Sequence, residues 1–126
     1  NVPSINRHLQ VPEEDPVLRV LRVRKCDGVP VMVEDGYFPK RFSYLMSEEL
    51  CGSTFEIFRK HGTEPTHFSK IVDICYATKF EAQKLEVREC QALLLQKDIT
   101  YDQNGEVIHY TKLVINPERY KLTIRM

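Results

Sequence analysis

The dipeptide Asn104-Gly105 constrains the fold of this chain more than any other feature. Asn-Gly favours the positive backbone φ angles of a tight β-turn, and strand-like residues flank it on both sides. Asp27-Gly28 repeats the pattern after the β-rich run 17–26. The sequence therefore predicts two antiparallel hairpins.

Short helices are predicted around these hairpins. Ser53 with Glu56, and Thr78 with Glu81, each have the spacing of a capping box, which begins a helix. The predicted order is a helix with Ile5 and Leu9 on one face, strand 17–26, a strand from Val31 to Pro39, a helical turn near 42–45, a helix from Ser53 to about His61-Gly62 with Phe55 and Phe58 inward, strand 67–77, a helix from Thr78 to about Val87, strands 92–101 and 107–115, and a last strand 120–126. Few alternating helix–strand units occur, so we expect an α+β fold: a mainly antiparallel β-sheet with helices packed on it.

Composition narrows the class of protein. The chain has 126 residues, the size of one domain, and 18 basic and 18 acidic residues. This balance argues against a nucleic-acid-binding domain, which normally has a basic excess. The four cysteines have no metal-site spacing and are expected to be reduced, which favours the cytoplasm. We expect no membrane span, metal or cofactor, and no catalytic motif indicates an enzyme. The start at Asn1 suggests a fragment of a longer protein.

Arg22 and Arg24 are the first candidate for a binding site. Side chains alternate along a strand, so both share a face with Leu18 and Val20. Guanidinium groups at the end of an apolar stripe need anionic partners, and paired arginines suit phosphate or carboxylate. The alternative is that they reach solvent or Glu34.

The role of Glu34 depends on the register of the first hairpin. A three-residue loop would put Glu34 on the same face as Arg22 and Arg24, whereas a two-residue loop would put it on the opposite face. Ser53 is a further candidate, because a helix N-terminus attracts anions. As an N-cap, however, Ser53 already has a complete structural explanation.

A series of short segments resembles the UTRA effector-binding domain of GntR-type bacterial transcriptional regulators, in the HutC-like branch. They are Val20 to Arg24, Asp27 to Pro30, Glu34, Tyr37-Phe38-Pro39, Gly52 to Phe55, Ala82, Leu85-Glu86-Val87, Tyr101 to Gly105 and Glu118-Arg119-Tyr120. Their order is that of the family, and they span nearly the whole chain. The resemblance implies a fold like that of chorismate lyase.

The resemblance also implies a function and a site. It makes residues 1–126 an effector-binding and dimerisation domain that lacks the family's N-terminal helix-turn-helix domain and first UTRA strand. The expected effector is a small anion, such as a phosphorylated sugar, which would alter DNA binding through the absent domain of a homodimer. By position, the ligand-binding residues would be Arg22, Arg24, Glu34, Ser53, Phe55 and His109. A lyase-like enzyme acting on a small carboxylate, and a dimerisation module with a degenerate pocket, are the alternatives.

Overall fold

The computed structural model describes residues 3–47 and 54–120. Three short α-helices, one 3-10 helix and five β-strands occur in these ranges. In chain order they are α1 (Pro3–Leu9), β1 (Val17–Cys26), β2 (Val29–Pro39), the 3-10 helix (Lys40–Ser47), α2 (Thr54–Lys60), β3 (Pro65–Tyr76), α3 (Lys79–Leu85), β4 (Ala92–Asp102) and β5 (Val107–Ile115). Each predicted element within the described residues is present. Residues 121–126 of the predicted last strand, and the predicted N-cap Ser53, lie outside them.

The five strands form one antiparallel sheet in the order β1-β2-β5-β4-β3. The two hairpins, β1–β2 and β4–β5, are therefore neighbours through β2 and β5, and β1 and β3 are the edges of the sheet that the described residues form. This arrangement confirms the predicted α+β class with a mainly antiparallel sheet.

The two hairpin turns differ in backbone conformation, since both central residues of the first have positive φ as predicted, whereas in the second only Gly105 does. Asp27 and Gly28 have φ angles of 51° and 80°, and Gly105 has a φ of 76°. The second turn is also held by the Asp102 side chain, because its Oδ1 accepts from the N–H of Asn104 at 2.8 Å and of Glu106 at 2.9 Å. These local bonds fix where the second hairpin reverses.

Contacts divide the chain into two compact units. Among the described residues, the first is drawn from 3–19, 36–47, 54–70 and 98–110, and the second from 20–35, 71–97 and 111–120. In the first unit α1 buries Ile5 and Leu9 against Val107 and Tyr110. The fully buried Asn6 side chain donates to the carbonyl oxygens of Pro12 and Asp15, which closes the loop after the helix.

The second unit has its own apolar core. Its buried members come from three strands, from α3 and from Ala77 just after β3: Val33, Ala77, Ala82, Leu85, Leu93 and Val114. The predicted capping box of α3 is confirmed, since Glu81 N–H donates to Thr78 Oγ1 and Thr78 N–H donates to Glu81 Oε1. Arg119 ties this unit together by donating to the carbonyl oxygens of Pro30, Leu85 and Glu86.

No helix within residues 3–47 and 54–120 combines the length and the apolar composition that crossing a bilayer would require.

Candidate functional site

Arg22 and Arg24 of β1 both reach the carboxylate of Glu34 on β2, and all three residues belong to the second unit. Arg22 Nε donates to Glu34 Oε2 at 2.8 Å, and its Nη2 contacts the same oxygen. Arg24 Nη1 lies 3.6 Å from the other oxygen, Oε1. The structure therefore assembles the Arg–Arg–Glu cluster that the sequence left dependent on hairpin register.

The register that brings the cluster together is set by burial. Val23 packs against the core cluster that contains Val33, and each of these residues alternates with members of the charged cluster along its strand. Turning Val23 and Val33 inward therefore turns Arg22 and Glu34 to the other face together. A regular two-residue hairpin would put Glu34 on the face opposite Arg22, so the contact between these side chains indicates that the two strands pair with an offset of one residue.

The three side chains differ in their access to solvent. Glu34 is 18% exposed and Arg22 is 21% exposed, whereas Arg24 is 49% exposed. Arg22 and Glu34 thus form a half-buried ion pair whose geometry fixes both groups. Arg24 Nη1 lies further from its carboxylate oxygen than a charge-assisted hydrogen bond of about 2.7–2.9 Å, and about half of the Arg24 side chain is exposed.

The cluster has a net charge of +1, because two guanidinium groups face a single carboxylate. Such a group can bind and orient an anion through fixed N–H donors. The sequence also allowed an alternative in which the arginines simply reach Glu34. The ion pair agrees with that alternative and gives Glu34 a structural role.

The other three predicted site residues, Phe55, His109 and Ser53, are not members of this cluster. Phe55 on α2 and His109 on β5 belong to the first unit, where Phe55 stacks on Phe68 with ring centroids 5.7 Å apart. The His109 ring stacks on Phe38 at 4.3 Å, with 4° between the planes. Ser53 is outside the described residues, and ligand roles for these three residues stay predictions. Within residues 3–47 and 54–120, no three His, Cys, Asp or Glu side chains form a metal-binding group.

Solved structures of other proteins share this fold. A GntR-family transcriptional regulator from Enterococcus faecalis V583 superimposes with a TM-score of 0.92 and 23% identity, covering 100% of this chain and 92% of that one. The effector domain of PhnF from Mycobacterium smegmatis gives 0.91 and 23%, covering 100% and 79%. The fold is that of these regulator domains.

The family model described as "UTRA domain" matches residues 2–121, and the chain belongs to this family. The resemblance stated from the sequence is thereby confirmed. The "Probable fructoselysine utilization operon transcriptional repressor" of Escherichia coli K12 is 27% identical over 120 residues, which cover 92% of this chain and 49% of that protein. The "HTH-type transcriptional repressor NagR" of Bacillus subtilis 168 is 26% identical over 104 residues, covering 81% and 43%. The chain thus spans about half the length of these curated relatives.

Proposed function

We propose that this chain is the effector-binding domain of a bacterial GntR-type transcriptional regulator. Membership of the UTRA family and similarity to two proteins named as transcriptional repressors support this function. In this proposal the domain senses a ligand in the cytoplasm and performs no chemistry on it. DNA is bound by another part of the full protein.

The proposed effector is a small anion such as a phosphorylated sugar. The observation that carries this proposal is the convergence of Arg22 and Arg24 on one carboxylate at a sheet face. Glu34 accepts hydrogen bonds from Arg22, and the half-exposed Arg24 side chain contacts the other oxygen of the same carboxylate. An anion that bridges the two guanidinium groups would gain bidentate, charge-assisted hydrogen bonds.

Sensing would operate through two arrangements of a homodimer. An effector that binds one arrangement better than the other shifts the population toward it, and operator affinity changes by the same coupling free energy. Because the coupling is reciprocal, operator DNA must change effector affinity by an equal factor.

The ligand part is tested with a thermal-shift screen of phosphorylated sugars, phosphonates and small carboxylates. A ligand that binds only the native state raises the melting temperature. Arg24→Gln removes the more exposed guanidinium and should weaken binding of a hit about tenfold or more, since a charge-assisted hydrogen bond contributes about 1.5–3 kcal/mol. Lys25→Gln is the matched control, because exposed Lys25 is the next cation along β1 on its other face.

If Arg24→Gln and Lys25→Gln weakened ligand binding equally, the cause would be the lower positive charge of the chain as a whole. That result would count against a binding site at the cluster. Chromatography of the ligand after incubation with the purified chain shows whether a hit is turned over. Turnover would favour the lyase-like enzyme over the sensor. Saturable binding with the ligand recovered intact is the expected result.

A further inference from the structure

The tip of the β4–β5 hairpin carries a dipeptide with chemistry of its own. Asn104 and Gly105 are both exposed. The side-chain amide of an asparagine is an electrophile within reach of the backbone nitrogen of the next residue. Glycine leaves that nitrogen unhindered, because it has no Cβ. The turn thus contains the two groups that react in spontaneous deamidation.

The other three asparagines of the chain each lack a condition for this reaction. Asn116 precedes Pro117, whose ring nitrogen carries no hydrogen and cannot act as the nucleophile. Asn6 is fully buried in α1, and its side-chain amide donates to two carbonyl oxygens. Asn1 precedes a β-branched valine, which crowds the backbone nitrogen. Reaction is therefore expected first at the hairpin turn.

The folded turn restrains both reacting residues. Gly105 N–H donates to the carbonyl oxygen of Asp102 at 3.0 Å, and Asn104 N–H donates to Asp102 Oδ1 at 2.8 Å. A nitrogen whose hydrogen is held in such a bond cannot readily lose its proton and turn toward Asn104 Cγ. Attack therefore requires the turn to open.

Contacts on both sides of the turn resist this opening. Glu64 N–H donates to Gln103 Oε1 at 3.0 Å, and Gln103 Nε2 donates to Gly62 O at 3.2 Å. The Gln103 side chain thus binds two backbone groups of the loop that follows α2. On the other side, Arg41 Nη2 donates to Val107 O at 3.1 Å. All of these residues belong to the first unit.

We propose that Asn104 is a site of spontaneous deamidation, which proceeds when the turn opens, and that one product releases the loop after α2. The deprotonated Gly105 nitrogen forms a bond to Asn104 Cγ. The Cγ–Nδ2 bond breaks, and ammonia leaves with a proton taken from water. Water then adds to either carbonyl carbon of the succinimide ring, so residue 104 becomes aspartate or isoaspartate. The reaction consumes water, releases ammonia and requires no other reactant.

The two products change the turn differently. Aspartate keeps the backbone and adds a carboxylate to a turn that already contains Asp102 and Glu106. Isoaspartate routes the backbone through the side chain, so an extra methylene precedes Gly105. Asp102 then cannot keep both the bond from Gly105 N–H and its own N–H bond to Glu106 O, which are 3.0 Å and 2.9 Å long. Gln103 moves with the turn, and its bonds to the loop after α2 are lost.

Timed incubation at mildly alkaline pH, with and without urea, tests the site. Peptide mass spectrometry locates the modified residue, and chromatography separates aspartate from isoaspartate. We expect both products at Asn104, formed about tenfold or more slowly in the native chain than in urea, because the turn must first open. An Asn104 that survives in urea would overturn the proposal. Equal rates in the two conditions, or faster reaction at another asparagine, would overturn it as well.

Variants test whether the hydrogen bonds of the turn control the rate. Asp102→Ala removes the carboxylate that holds Asn104 N–H and should raise the native rate about tenfold or more without changing the rate in urea. Asp73→Ala is the matched control in the second unit, because Asp73 Oδ1 likewise accepts from a backbone N–H, that of Ile74 at 3.0 Å. Equal rates in the two variants would contradict control by the turn.

Gln103→Ala covers the case in which Asp102→Ala fails to fold. Gln103 is exposed, and its loss removes the bonds to the loop after α2 without touching the reacting residues. This variant should raise the native rate severalfold. A native rate equal to that of the unsubstituted chain would count against the contacts of the turn as the barrier.

Hydrogen exchange of the separated products tests the release of the loop. The Glu64 amide, which donates to Gln103 Oε1, should exchange severalfold faster in the isoaspartyl form than in the unmodified chain. Asn104→Asp, which keeps the normal backbone, is the control and should stay close to the unmodified chain. Unchanged protection in the isoaspartyl form would refute the release. No effector is used in these measurements, so their outcome is independent of the ligand proposal.

Discussion

The Cys75 thiol lies at the margin of the core of the second unit, half-buried beside α3. Burial raises its pKa above the ordinary value, and the nearby carboxylates of Glu81 and Asp73 raise it further. Only the thiolate is nucleophilic, so Cys75 should react with iodoacetamide about tenfold or more slowly at pH 8 than exposed Cys26 and Cys90. Timed alkylation of the native chain, followed by peptide mass spectrometry, measures the three rates.

The sign of this pKa shift also fixes an effect on stability. A raised pKa means that folding favours the neutral thiol. The contribution of Cys75 to the free energy of unfolding is therefore complete below its unfolded-state pKa and is lost as pH rises through the folded-state value.

The alkylation experiment has its control in urea, where the reaction rates of the three cysteines should converge. A native Cys75 that reacts as fast as Cys26 would show that the thiol is neither shielded nor protonated.

The cluster of Arg22, Arg24 and Glu34 shows how far alternation along one strand predicts the sheet face on which a side chain lies. Alternation along β1 correctly placed Arg22 and Arg24 on one face, because that depends only on local geometry. The face of Glu34 depends on how two strands align, and an offset of one residue reverses it. Burial of Val23 and Val33 in one core determines that alignment, and this is a tertiary interaction that turn length does not reveal.

At the scale of elements, the cap of α3 offers a direct measurement. Thr78 is exposed, and its hydroxyl oxygen accepts from Glu81 N–H at 3.2 Å. Thr78→Ala removes this acceptor and should lower the free energy of unfolding by about 1 kcal/mol, whereas Thr78→Ser keeps it and should lose much less. Urea unfolding followed by circular dichroism gives both values. Equal losses in the two variants would mean that the methyl group, and not the cap, stabilises this end of the helix.

Most elements could be predicted because their signals are local. The observed bounds of β1, Val17–Cys26, equal those predicted, and Pro39 ends β2 as expected. The place of β3 could not be predicted, because strand order depends on contacts between distant segments. Its apolar residues indicated a strand, but only the sheet order shows that this strand lies at an edge of the sheet that the described residues form.

At the scale of the whole molecule, charge balance limits what the chain can bind. Its 18 basic and 18 acidic residues give no net charge, so counterion release offers little general attraction to DNA. Strand β1 is a local exception, because it carries Arg19, Arg22, Arg24 and Lys25, and Glu34 neutralises part of this charge. A small anion needs only two or three donors, whereas a duplex needs a continuous row of cations along its phosphates.

The 126-residue chain should therefore bind duplex DNA more weakly than about 100 µM at physiological salt, which is the weak end of non-specific binding. Fluorescence anisotropy with a labelled duplex, repeated over a range of salt concentrations, measures this. Arg24→Gln should leave the result unchanged if β1 serves a small anion. Micromolar affinity that falls steeply with salt and weakens in Arg24→Gln would instead make β1 a nucleic-acid surface. The arginines would then contact phosphates of the operator, and the separation between a sensing domain and a DNA-binding domain would not hold for this protein.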